Sequence, residues 1–213
     1  MRTLVLSLLL SVVAATASAQ IGVTGFRNFN DAYTRAGGSV LDLEYGDGAE
    51  IALNYWFRLP KKRVEFLPTV YYASTGGETP WSEYGFQFKT NVYPFDFGTD
   101  CDCPTFGKQG PQLQKGLFIQ VSPGLANHHR AEGENTAVQN KIVPNVGAGI
   151  GIDFGVSNLL TLTPLVSVRH TLADFTDTGS VDESGDVAEG VNGRLTTVQI
   201  GVQATFRLDK KRY

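Results

Sequence analysis

The chain has 213 residues, 42% hydrophobic and 18% charged, with 24 Gly, 13 Phe, 8 Tyr, 2 Trp and 2 Cys. That is one domain's worth of material, too apolar to be disordered, and a formal net charge of −3 gives no polycation for holding nucleic acid. Two cysteines cannot staple a scaffold this long, and a mean hydropathy of −0.10 with one long apolar run excludes a helical membrane protein.

The first residues read as an address. Arg2 supplies a positive n-region, Leu4 to Ala15 an apolar h-region, and Ala17-Ser18-Ala19 a small-x-small cleavage site before Gln20. This predicts a cleaved secretory signal over 1–19 and a mature domain over 20–213 that works beyond the inner membrane. An N-terminal anchor helix is the competing reading, but the apolar run is short for a span. No Cys follows the cleavage site, so a lipoprotein is not expected.

Beyond that point the apolar period is two. Ile21 to Phe26, extending at most to Phe29, reads as a first strand. Ile51, Leu53, Tyr55, Phe57 and Leu59 then oppose Glu50, Asn54 and Arg58. Val64, Phe66, Val70 and Tyr72 oppose Glu65, Leu67 and Thr69, and Tyr84, Phe86, Phe88 and Val92 oppose Glu83, Gln87, Lys89 and Asn91. Leu117, Ile119, Val121 and Leu125 oppose Phe118, Gln120, Ser122 and Gly124. From Ile142 to Phe154 the apolar set faces Lys141, Asn145, three Gly and Asp153. Leu160, Leu162, Val166 and Val168 oppose Thr161, Thr163, Ser167 and Arg169. The last segment sets Val198, Ile200, Val202, Ala204, Phe206 and Leu208 against Thr197, Gln199, Gln203, Thr205 and Arg207. Alternation of this kind is the signature of strands with one apolar face.

Length selects the architecture. The segments run to about 9–14 residues, against about 5–6 in soluble sheets, and a tilted membrane-crossing strand needs about 9–11. With the secretion signal, this predicts an all-β, eight-stranded antiparallel up-and-down transmembrane barrel whose polar lumen is filled by side chains. A soluble sandwich or a carrier barrel with an apolar lumen would also alternate. Leu59 to Arg63 and Gly155 to Asn158 read as tight inner turns. Residues 27–47, 74–81, 127–140 and 173–193 read as long outer loops. That leaves Asp96 to Lys115 as an oddly long inner connection. Pro68, Pro94, Pro123, Pro144 and Pro164 fall inside strand segments and should each mark a bulge or kink.

The signal, the segments NYWFRLPKKRVEFLPTVYY, GFQFKTNVYPFDF, GLFIQVSPGL and VPNVGAGIGIDFG, and the closing GVQATFRL resemble the small outer-membrane β-barrel proteins of Bacteroidetes-type bacteria. Their "outer membrane protein beta-barrel" domain is comparable in shape to the transmembrane part of the OmpA and OmpX proteins. The resemblance covers essentially the whole mature chain and implies an architecture without a chemistry. Phe206 and Tyr213 match the aromatic-rich terminal signal of such barrels, and Asp209 to Arg212 depart from it. The implied location is the bacterial outer membrane. The implied partners are its lipid and lipopolysaccharide, and the barrel-assembly machinery during insertion.

Chemistry is sparse. His128-His129, flanked by Glu132 and Glu134, is read as a polar loop with some potential for metal capture. His170 with Ser167 and Asp174 evokes a lipid A-modifying hydrolase, but His170 and Ser167 have opposite parity and should diverge. Cys101 and Cys103 form a possible disulfide that locks a loop, since two thiols alone cannot fill a zinc shell. The acidic run Asp174 to Glu189 has no calcium-loop spacing. No catalytic residue, metal or cofactor is assigned. Glu50, Arg58, Glu65, Glu83, Lys89, Asp153, Arg169 and Arg207 are expected to form a lumen charge network, because unpaired buried charges are costly. The expected role is non-enzymatic, structural or surface-interacting through the outer loops, by a monomer without an open pore. The alternatives are the hydrolase, a small porin-like channel and a soluble carrier.

Overall fold

A computed structural model describes residues 20–36, 39–43, 45–58, 64–76, 80–94, 117–130, 139–157, 159–175 and 193–207. The signal segment, both cysteines and most loop residues lie outside this set. Ten strands form: β1 Gln20–Ala36, β2 Ser39–Leu43, β3 Gly48–Arg58, β4 Val64–Thr75, β5 Trp81–Val92, β6 Leu117–Arg130, β7 Gln139–Ile152, β8 Phe154–Gly155, β9 Leu160–Thr171 and β10 Gly193–Arg207. β2 continues the line of β3 along β1, and β8 continues β7 along β9. The wall therefore has eight staves, each antiparallel to the next. It closes where β10 pairs with β1 from Gln20↔Arg207 to Thr34↔Gly193. The chain is a closed eight-stranded antiparallel β-barrel.

The ladders give its dimensions. From Arg27 one way round, successive partners are Ala49, Ser74, Ser82, His129 and Asn140. The other way they are Ile200, Val166 and Ile150. The two routes reach β7 about ten residues apart, and that stagger sets a strand tilt of about 41° and a radius of about 8 Å from ordinary strand spacings. A cylinder this narrow is filled by its own side chains.

The faces follow the alternation. Ile51, Tyr84, Leu125, Ile142, Ile150 and Ile200 point outward and are exposed, Ile142 by 69%, while Thr69, Gln87, Thr161 and Thr205 point inward at no more than 1%. Polar residues are inside and apolar ones outside, the reverse of a soluble protein.

Several expectations need correction. Residues 27–47 are mostly strand, since β1 runs to Ala36 and β2 returns along it. Asn28 points inward and buried, while Arg27 and Asp31 point outward on the same strand. His128 and His129 lie in β6, not in a loop. Pro68, Pro123 and Pro164 mark no bulge. Each sits where the ladder to one neighbour lapses for two residues and resumes in unchanged register. Proline lacks only the donor on that side, so the stave continues without an inserted residue. Pro144 lies just past the end of the β7–β9 ladder, and Pro94 follows β5.

The bulge occurs elsewhere. Between Asn28↔Gly48 and Ala32↔Leu43 the β2–β3 stave carries one residue more than β1. Gly46 takes φ 74° there, a conformation that costs glycine little. Asn30 holds the turn, its side-chain amide donating to Gly46 O at 2.8 Å and its backbone N–H to Asp47 Oδ1 at 3.2 Å. The extra residue reverses the parity of the stave, so the odd-numbered Tyr45 turns inward among even-numbered neighbours.

Inward glycines make room for aromatic rings on the adjacent stave. Tyr71 is the direct partner of Gly85, and Phe118 of Gly151. A Cβ on either glycine would fall inside the facing ring. Gly85→Ala should therefore cost about 1–3 kcal/mol through overpacking, measured by urea unfolding in lipid. Gly25→Ala meets open space outside and should be near neutral.

Candidate functional site

The lumen is the only place where the described chain concentrates polar chemistry, and it has three levels. At the inner end, the Trp56 indole N–H donates to Glu65 Oε2 at 2.7 Å. Tyr93 Oη lies 2.7 Å from the same Glu65 oxygen and 2.8 Å from Asp153 Oδ2. Thr163 donates to Asp153, and Gln120 to Asn91 at 2.7 Å. Phe118 packs beside Tyr93, ring centroids 5.5 Å apart.

At mid-height Arg169 bridges two carboxylates, with Nη1 2.9 Å from Glu50 Oε2 and Nη2 3.1 Å from Glu83 Oε2. Its guanidinium lies 4.4 Å from the Tyr71 ring centroid, and the Tyr71 hydroxyl donates to Glu83 Oε1 at 2.6 Å. Gln199 links the staves, donating to Glu50 Oε2 at 2.8 Å and Asn28 Oδ1 at 3.1 Å while accepting from Ser167 at 3.2 Å. Lys89 Nζ lies 5.1 Å from the Phe26 ring centroid, and nearer the inner end Asn54 donates to Thr24 and Gln203. Buried charges survive when paired and hydrogen-bonded, and a shared cation between two anions meets both conditions.

The outer end is apolar, which the alternation did not announce. Tyr45 stacks on Trp81 at 5.2 Å, and Phe175 packs edge-on against both at 5.4 and 5.3 Å. His128 joins them 5.2 Å from Phe175, its Nδ1 3.1 Å from the Tyr45 hydroxyl. Phe175 does not belong to the wall. The chain leaves β9 after Thr171, is held by Leu172 N–H to Pro144 O and Phe175 N–H to Gly193 O, and delivers the ring into the mouth at 1% exposure.

Of the sequence-assigned network, Glu50, Glu65, Glu83, Lys89, Asp153 and Arg169 are all buried on the inner face. Glu50, Glu83 and Arg169 make one ion-paired group, and Glu65 and Asp153 meet through Tyr93 at another level. Arg58 and Arg207 are placed only by register, opposite Glu65 and Gln20, their side chains lying outside the described set. Cys101 and Cys103 also lie outside it. His170 faces outward and meets Thr196 Oγ1 at 2.9 Å, whereas Ser167 is inside on Gln199. His128 and His129 diverge in the same way. Among the described residues no group of three or more metal-ligating side chains converges.

No family model and no curated protein matches the chain. Solved structures do. The chain is similar to the Neisserial surface protein A, at 12% identity over 87% of this chain and 95% of that one, TM-score 0.48. It is also similar to the N-terminal β-barrel domain of Pseudomonas aeruginosa OprF, at 13% identity over 88% and 97%, TM-score 0.44. A third is Ail, the attachment invasion locus protein of Yersinia pestis, solved with a heparin analogue, at 8% identity over 88% and 99%, TM-score 0.44.

Proposed function

We propose that this protein is a non-enzymatic barrel of the bacterial outer membrane, exported by cleavage of its first nineteen residues. In this reading it serves as a structural or surface-interaction element through its outer loops. One observation carries the reading: the wall is apolar outside and hydrogen-bonded and charged inside. Lipid is the solvent that such an exterior suits, and a closed barrel is one of the two backbones that can cross it. The lumen charges disfavour a carrier for apolar cargo, and the opposed directions of His170 and Ser167 disfavour a lipid A hydrolase. Outer-membrane lipid and lipopolysaccharide would be its immediate partners, and the assembly machinery its route of entry, as a monomer.

Fractionation of expressing cells tests this. The protein should partition with outer membranes, need detergent for release and change gel mobility on boiling. In planar bilayers it should give no steady conductance step, since ion-paired and aromatic levels fill the lumen in series. Release without detergent would favour the carrier, and a reproducible single-channel step would favour a porin.

A further inference from the structure

The aromatic level at the outer mouth is more than a lid. His128 and Trp81 are buried to 0% and 3% exposure, yet His128 Nε2 and Trp81 Nε1 have no hydrogen-bond partner. Buried polar atoms are nearly always satisfied, and each one left bare has lost its water without a replacement. Both atoms belong to rings packed against Phe175, which with Ala173 is supplied by a segment that has left the wall. Phenylalanine offers neither atom a partner. A ring of the same size carrying a hydroxyl would: the indole N–H can donate to its oxygen, and that hydroxyl can donate to or accept from the imidazole in either tautomer. Tyr45 supplies a stacking face, and Val143 and Leu195 complete the apolar wall.

We infer that the outer mouth is a binding site for a small planar aromatic molecule bearing a hydroxyl edge, occupied in cis by the side chain of Phe175. Binding requires the 172–175 segment to swing out, and its two backbone hydrogen bonds to Pro144 and Gly193 are a tether light enough to break. The inference concerns the mouth alone and stands whether or not the barrel conducts.

The test uses the full barrel in lipid nanodiscs, titrated with phenol and with toluene at matched free concentrations. The readouts are the calorimetric affinity for each molecule in every variant and, wherever Trp81 is present, its indole N–H resonance. Trp56, the other tryptophan of the chain, sits at the inner end and serves as internal control. In Phe175→Ala, phenol should bind saturably and about tenfold or more tighter than toluene, whereas a dry apolar cavity would favour toluene. Adding Trp81→Phe should abolish the preference. The wild type should show the same Trp81 shift at higher phenol concentration, and this arm decides the matter if Phe175→Ala does not fold. Toluene binding as tightly as phenol, a preference that survives Trp81→Phe, or an unmoved Trp81 resonance in the wild type would each overturn the inference.

Discussion

Arg169→Ala should cost about 3–5 kcal/mol of barrel stability in detergent–lipid unfolding titrations, because it strands two carboxylates in a desolvated core. Glu50 and Glu83 approach the guanidinium from β3 and β5, on staves that are not neighbours of β9. The pair of bonds thus ties opposite walls across the lumen. Neutralising the anions as well should recover most of the loss. The triple variant Arg169→Met, Glu50→Gln, Glu83→Gln removes all three charges of the cluster together, and replacing a whole buried cluster is often neutral. If Arg169→Ala costs no more than an exposed substitution, the cluster is solvated and the lumen is open.

Val202→Arg should cost about 2–4 kcal/mol by placing a guanidinium at the middle of the apolar belt. On β10 the apolar outward series is Phe206, Ala204, Val202, Ile200 and Val198, followed by Thr196 and Arg194, so Val202 is central to the apolar part and Ile200 lies nearer the outer rim. Ile200→Arg should cost somewhat less, since its side chain can reach the rim. Gln199 is a poor permissive control although it faces inward, because its amide joins Asn28, Glu50 and Ser167. The discriminating contrast is apolar: Val202→Leu should be nearly silent and Gln199→Leu clearly destabilising. Equal effects of those two changes would reject the assignment of faces.

The faces were legible in the sequence because a period of two survives any register. From Arg194 to Phe206 every side chain points where parity says. What parity cannot report is a residue inserted into a stave. Tyr45 lies beyond the Gly46 bulge, and its inward position follows from a glycine dihedral rather than from a pattern. Phe175 escapes for a similar reason, as it reaches the lumen from irregular chain. The polar stretch from Arg27 to Asp31 resembled a loop because two opposite environments alternate there, buried amides inside and charges on the outer surface. His128 was obscured by its neighbours: the polarity of His129 belongs to the outer side of the same strand, and that of Arg130 to a guanidinium laid over the buried Trp81 ring. The mid-lumen ion pairs lay in the predicted set, but which charge meets which depends on the ten-residue stagger, a property of closure that no single segment encodes.

That closure has a consequence for assembly. Every other ladder joins segments close in the chain, whereas the β1–β10 seam joins the first strand to the last. Across it Asn28 is bonded by Gln199 and Thr24 donates to Gln203. An unclosed sheet would present these amides and two bare backbone edges to hydrocarbon, where unmet polar groups cost several kcal/mol each. In the proposed membrane setting, a chain cut short before residue 193 therefore has no intermediate resting state. Pairing of the final strand is the step that completes the wall, and every earlier stave waits on it.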